Sequence, residues 1–295
     1  MHTPAILPGH SLGALQAWHA GAARALAHCR EADFVECLAE ALYQLTPIES
    51  MLFILERQGQ PPQLLHQRGI PAPYRQTLID RYFARGYMLD PFCLAVEKGL
   101  AEGFYHLSEI APDDFFASEY YKTYYLKNGS VEDSYYIVDL DAQRKISLCL
   151  YQGCSAARFS PEQLQLLRAV QPLVRELILQ FASGGGLEQR LALDGSDERA
   201  APTLSPQIQA AFASFGSDLL TEREREIAHL ILRGHSVKST ARELAISPET
   251  VRMHRKNLYT KLQIGSQAEL FSLFIRWLGA LPVPTAPTGD TPART

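Results

Sequence analysis

Residues Leu219 to Trp277 read L-L-T-E-R-E-R-E-I-A-H-L-I-L-R-G-H-S-V-K-S-T-A-R-E-L-A-I-S-P-E-T-V-R-M-H-R-K-N-L-Y-T-K-L-Q-I-G-S-Q-A-E-L-F-S-L-F-I-R-W. Helix caps alone divide this stretch into four helices. Thr221 with Glu224 forms a capping box that opens the first, and Gly234 suits the left-handed position that ends it. Ser236 caps a second, short helix ending near Leu244. Ser247 caps a third, with Pro248 at its first position, where the missing N–H costs nothing. Ser266 with Glu269 is another capping box and opens a fourth helix, running to about Trp277.

The second and third helices are joined by a short turn, Ala245 to Ser247, and the longer, more basic one comes second. That is the helix-turn-helix arrangement suited to the DNA major groove. On a helical wheel Val251, Leu258 and Leu262 make the buried stripe of the third helix. Arg252, Lys256, Glu249, Met253 and Asn257 fall on the opposite, outward side. Arg252 and Lys256 can donate to guanine O6 and N7, and Met253 can touch a thymine methyl. Lys238, Thr250, Lys261 and the N–H groups at the helix starts near Ser236 and Ser247 suit phosphates, which position a module without specifying sequence. His254 borders the buried stripe, so packing and a DNA contact are both open to it. The bland alternative is a helical bundle whose charged face serves only solubility.

The charge distribution favours DNA. The 295 residues carry a net charge of -4, but Ser217 to Ala280 holds ten basic and seven acidic residues, a net of +3, against -7 for the remainder. An acidic body thus carries a mildly basic C-terminal module.

With 46% hydrophobic and 20% charged residues the chain can bury a sizeable core and should form two domains. No run approaches the roughly 20 apolar residues of a membrane span, and Met1 to His10 lacks the basic-then-apolar order of a secretory signal, so a soluble cytoplasmic protein with no membrane partner is expected. Cys29, Cys37, Cys93, Cys149 and Cys154 form no C-x-x-C pair and have no nearby His cluster at metal-ligand spacing. Reduced thiols are expected, with neither metal nor cofactor. No G-x-S-x-G, Walker loop, G-x-G-x-x-G or H-E-x-x-H occurs, and the scattered histidines make no catalytic set, so the chain does not read as an enzyme.

Four segments follow: a sensing and dimerisation domain over 1–182, a linker over 183–206, a DNA-binding domain over 207–280 and a disordered tail over 281–295. In the first, Ser11 to Arg30 and Ala32 to Gln44 have helical periodicity. Met51 to Leu55, Tyr135 to Leu140 and Ile146 to Tyr151 read as strands, and Ser160-Pro161 opens a long helix. Strands flanked by helices without regular alternation indicate an α+β chain: an N-terminal α/β/α sandwich of the PAS/GAF kind followed by an all-α four-helix domain.

The C-terminal segment resembles the LuxR-type helix-turn-helix domain of bacterial transcription regulators. The matching residues are Leu220 to Ile227, Gly234, Lys238, Ala241, Leu244, Ile246-Ser247, Thr250-Val251, His254, Asn257-Leu258 and Lys261-Leu262. The resemblance implies a third helix in the major groove and a fourth that contributes to dimerisation. Val237, Ser239-Thr240 and Gln267 depart from the family's common residues.

Further upstream, Tyr74-x3-Leu78-x3-Tyr82, Gly86-Tyr87 and Asp90-Pro91 resemble the acyl-homoserine-lactone-binding domains of quorum-sensing LuxR-type regulators. The resemblance implies a ligand site at Tyr74, Leu78, Tyr82 and Asp90, with a further position near Phe104 or Tyr105. Leu78 stands where that family has a tryptophan. Without an indole N–H a buried lactone carbonyl loses its donor, at about 1–3 kcal/mol, which argues against a standard acyl-homoserine lactone. The aromatic run Phe115 to Tyr125 either lines a pocket or fills a core. Asp90 either anchors a ligand or caps a helix through Phe92 to Val96.

The expected function is a bacterial DNA-binding transcriptional regulator whose N-terminal domain senses a small molecule. The alternative is a ligand-independent or protein-regulated factor with an N-terminal interaction module. Expected partners are double-stranded DNA at two half-sites, a second copy of the chain in a homodimer and a small-molecule ligand, with RNA polymerase a candidate.

Overall fold

The Ser-Met-Leu-Phe-Ile-Leu-Glu-Arg run at Ser50–Arg57 forms strand β1, and its alternation explains the N-terminal architecture. Met51, Phe53 and Leu55 belong to one buried cluster and Leu52 and Ile54 to another, so both faces of the sheet are covered. The structure is a computed structural model and describes residues 12–58, 60, 62–76, 79, 82–84, 86–153, 155, 157–193, 212 and 214–280. The expected tail and most of the expected linker lie outside the described residues, as do Cys154 and Leu78.

Five antiparallel strands are ordered β2-β1-β5-β4-β3: β1, β2 (Gln63–Arg68), β3 (Gly103–His106), β4 (Glu132–Asp139) and β5 (Arg144–Gln152). The register pairs Leu52 with Cys149 and Tyr135 with Cys149, placing the centres of three strands side by side. Strands β2 and β3, which lie at the edges, were not expected from the sequence. Gln63–Arg68 is largely polar and Gly103–His106 has four residues, so neither carries a clear apolar alternation.

One face is covered by α1 (Leu12–Ala27), α2 (Phe34–Leu45) and a long helix. Phe181 of that helix stacks on Phe34 with ring centroids 4.6 Å apart. Helix α3 (Ala72–Arg75) follows β2, and the other face carries α4 (Pro91–Glu97), α5 (Leu107–Ile110) and short helical turns at Tyr82–Ala84, Gly86–Leu89 and Tyr121–Tyr125. The expected α/β/α sandwich is what forms. The long helix, α6 (Pro161–Ser183), starts at Ser160, whose hydroxyl accepts from the Gln163 N–H at 3.2 Å while Gln163 returns a bond to the Ser160 N–H.

Within the expected linker of 183–206, Gly186–Leu193 forms a helix, α7. Leu187 is fully buried against the first face, and Arg190 donates to the Leu65 carbonyl at 2.7 Å and pairs with Glu36 at 3.1 Å. The glycine run that suggested a linker is a turn between two docked helices.

In the C-terminal part the four expected helices appear as α8 (Glu222–Leu232), α9 (Val237–Glu243), α10 (Pro248–Leu262) and α11 (Gln267–Ala280). Each predicted cap is in place at Thr221, Ser236 and Ser247, and Gly234 has φ +88°. The fourth start differs in detail. Ser266 accepts from the Glu269 N–H at 3.2 Å, but the Glu269 carboxylate accepts from the Gly265 N–H at 2.7 Å. Phe274 at the core of this domain stacks on Phe212 with centroids 5.2 Å apart and meets Phe215 edge-on.

Candidate functional site

Helix α10 has two chemically different sides. Val251 and Leu258 are buried against α8 and α9, and Leu262 and His254 are half-buried beside them. Arg252, Met253, Lys256 and Asn257 are all exposed. Met253, a large apolar side chain on this outward side, is 53% exposed. The Arg252 guanidinium donates to Glu249 one turn earlier at 2.9 Å, a solvent-exposed pair worth little and easily exchanged.

At the start of the helix the Ser247 hydroxyl accepts from the Thr250 N–H at 3.1 Å and lies 2.9 Å from the Thr250 hydroxyl. Lys238 is exposed on α9. Lys261 is differently employed: its ammonium bonds the carboxylate of Glu224 at 2.7 Å. Glu224, only 3% exposed, also closes the capping box of α8, so Lys261 ties the end of α10 to the start of α8.

The two domains touch. Asp113 accepts from the Ser236 N–H at 3.0 Å and from its hydroxyl at 2.6 Å, and the Asp114 N–H donates to the Gly234 carbonyl at 3.0 Å. A Cβ on Gly234 would stand 2.7 Å from the Phe115 Cα. The glycine thus serves the helix stop and this close approach at once.

On the second face of the sheet a dense group of acids and tyrosines is buried. Asp90, 2% exposed, accepts from the Phe92 and Cys93 N–H groups at 2.8 and 3.1 Å, capping α4. Its other oxygen receives the Tyr120 hydroxyl at 3.5 Å, and Tyr82 also bonds it. Both readings of Asp90 therefore keep a structural basis: it is a cap, and it faces the aromatic core. Burial pushes its carboxyl up to about 6, against the opposing pull of those four hydrogen bonds.

Tyr125 donates to Asp133 at 3.0 Å, and the Tyr135 and Tyr151 hydroxyls lie 3.3 Å apart. Among the described residues the other Asp133 oxygen is buried without a partner. The rings leave a cavity of only about 10 Å³ between Tyr82, Asp90, Tyr120, Tyr124, Tyr125 and Tyr151, room for about one water. The aromatic run thus mainly fills the core.

The remaining ligand candidates separate. Tyr82 and Asp90 are together, and Tyr105 packs at the edge of the same cluster with its hydroxyl on the Ala101 carbonyl at 3.1 Å. Phe104 does not belong there. It lies one residue along β3, so the strand alternation sends it to the opposite face, against Tyr136 and beneath the Arg168 guanidinium. Tyr74 is half-buried on α3 and is not part of the cluster.

The structure also brings His28, Asp33 and Cys37 within 4.8 Å of one another, a grouping their spacing across a helix-turn-helix corner concealed. His28 Nδ1 pairs with Asp33 at 3.0 Å, and burial pushes the Cys37 thiol up. The His28–Asp33 hydrogen bond accounts for the placement. Cys93 and Cys149 are fully buried, and their thiols are pushed well up, first by burial, into an unreactive state.

Fold and surface together define a helix-turn-helix protein in which one side of α10 is buried and the other exposed. Residues 218–274 match the bacterial regulatory proteins of the luxR family. An HTH-type transcriptional regulator described from the exeN 3' region of Aeromonas salmonicida is 34% identical over 201 residues, covering 68% of this chain and 98% of that protein. The chain belongs to the LuxR family of transcriptional regulators. Transcriptional regulatory protein UhpA of Escherichia coli is 45% identical over 67 residues, 23% of this chain and 34% of UhpA. Among solved structures, the VqsR LBD domain from Pseudomonas aeruginosa aligns at 28% identity and TM-score 0.49, covering 57% of this chain and 98% of that one. No described helix is long and apolar enough to cross a membrane.

Proposed function

We propose that this regulator reads a specific DNA sequence through Arg252, Met253, Lys256 and Asn257 of α10, with Lys238, Ser247 and Thr250 on phosphates, as a homodimer on two half-sites in the cytoplasm. The observation that carries this reading is the exposure of all four outward side chains on a helix whose opposite side is buried. One such module touches few phosphates, so two copies on adjacent half-sites supply the affinity.

The N-terminal domain acts as the control element, and a small molecule is its signal. The buried carboxylates of Asp90 and Asp133 support a polar ligand. The near-filled space beside Asp90 weighs against an acyl-homoserine lactone there and favours, as the second reading, a domain that only mediates protein contacts.

Selection of a binding site from random duplexes tests the first part: Arg252→Ala and Lys256→Ala should lose preference for the selected site at fixed salt, and unchanged affinity would refute the groove assignment. Native and denaturing mass spectrometry of the purified chain tests the second. A released small molecule supports sensing, whereas an empty, stable dimer supports the interaction module.

A further inference from the structure

Glu56 follows Leu52 and Ile54 along β1 and by the strand alternation belongs on their face of the sheet. A third apolar residue would continue the pattern; instead a carboxylate stands there, 8% exposed. It borders a cavity of about 180 Å³, walled by Cys93 and Val96 of α4 and flanked by a second acid, Glu97. This space shares no lining residue with the small gap beside Asp90.

Two basic residues also line the space, one of them Lys145, which lies directly across from Glu56 on β5, and both are engaged elsewhere. Lys145 bonds Asp139 and donates to the Leu100 carbonyl at 3.1 Å, while Arg57 donates to Gln63 at 2.7 Å. Neither Glu56 nor Glu97 forms an ion pair among the described residues. A buried carboxylate without a cation is costly, and burial accordingly pushes Glu56 up to about 7, with Ser147 opposing and Asp90 and Glu97 adding to the rise.

We infer that this cavity is a binding site for a small organic cation, an ammonium group between Glu56 and Glu97 with its apolar body against Val96 and Cys93. The inference rests on the reading of the N-terminal domain as a sensor and names the chemistry of its ligand. An engineered apolar cavity of about 150 Å³ accepts benzene, so a body of that size fits. The ammonium supplies charge-assisted hydrogen bonds to oxygens that the protein leaves without a base. A neutral or anionic ligand of the same shape would leave that charge uncompensated or repel it.

The test is calorimetric titration of the full chain at pH 7.5 with benzylamine, benzyl alcohol and benzoate at millimolar concentrations. Benzylamine should bind at least about tenfold more tightly than benzyl alcohol, and benzoate should not bind. Glu56→Gln keeps size and shape and should abolish that preference, with circular dichroism confirming the fold. Glu97→Gln should reduce it. Equal affinity for amine and alcohol, absence of any benzylamine binding, or an undiminished preference in Glu56→Gln would each overturn the proposal. Duplex binding by the same preparation is measured in parallel: a chain that binds DNA but no amine leaves the regulator reading standing while this site falls, and an amine-binding chain without DNA affinity does the reverse.

Discussion

Asp113 of the N-terminal domain accepts two hydrogen bonds from Ser236, at 3.0 Å from its N–H and 2.6 Å from its hydroxyl, while the same hydroxyl accepts from the Ser239 N–H at 3.1 Å. One serine therefore caps the first helix of the helix-turn-helix pair and ties that pair to the N-terminal part of the chain. Asp113 thus sits at the start of α9, and α9 packs against α10.

Asp113→Ala should loosen this junction while leaving both folds intact. Hydrogen exchange of the segment 236–239 is expected to quicken about fivefold, corresponding to ~1 kcal/mol, with α10 unchanged. Burial tends to raise the Asp113 carboxyl, but the Ser236 bonds outweigh it and hold it below its ordinary value of 3.8. The junction should accordingly persist at neutral pH and fail only below that range. Identical exchange in variant and parent would show that Asp113 does not hold the domains.

Arg252→Ala and Lys256→Ala should separate readout from stability. Both side chains are exposed, so thermal unfolding should be unchanged. Affinity for a selected site should fall by about 1–3 kcal/mol for each side chain that reads a base. A melting shift matching the fall in affinity would assign these residues to structure.

Lys261→Ala should behave in the opposite way. Removing the ammonium leaves the nearly buried Glu224 carboxylate without its cation, so a stability loss of ~1–2 kcal/mol is expected, visible in urea unfolding. The salt dependence of DNA binding should change less than in Lys238→Ala, the proposed phosphate contact, for which the slope should drop by about one. A stable Lys261→Ala protein with a reduced slope would restore Lys261 to the phosphates.

Glu56 makes the domain's stability depend on pH in an unusual direction. Its folded carboxyl titrates at about 7 against an ordinary 4.5, so the native state holds the proton more tightly than the unfolded chain. Stability is then gained as pH falls from about 7 toward 4.5 and lost as it rises, with an upper bound on the order of 3 kcal/mol. Asp90 acts the same way between about 6 and 3.8. The groups facing Glu56 are Ser147, Asp90, Glu97, Cys93 and Cys149, with Lys145 directly across the strand pair and Arg57 beside it, both basic groups engaged elsewhere. Glu56→Gln should be more stable than the parent at pH 8 and flatter between pH 5 and 8 in melting temperature. A parent less stable at pH 5.5 than at pH 8, with Glu56→Gln showing the same slope, would contradict this.

The C-terminal domain was legible almost helix by helix because its boundaries are set by local chemistry. Thr221, Ser236 and Ser247 cap the residues immediately following them, and Gly234 takes a backbone conformation that other residues resist. Three central strands were legible for a similar reason, since their β-branched and aromatic runs are long. The edge strands β2 and β3 were not, because an edge strand is specified by its neighbour's free hydrogen bonds more than by its own composition. The helix at the glycine-rich start of the expected linker was not legible because Leu187 is buried and Arg190 bonds residues far away in the chain, Leu65 and Glu36.

Local sequence was enough for the helix-turn-helix, its outward row of Arg252, Met253, Lys256 and Asn257, and the place of Asp90 beside a helix start, since each depends on residues within about one helical turn. Which side chains share a face, and which charges are already paired, was settled by packing alone. Phe104 was carried away from Tyr105, Lys261 was claimed by Glu224, and Glu56 was set beside Glu97 around an open space. Burial, pairing and volume arise where distant segments meet, and no local pattern records them.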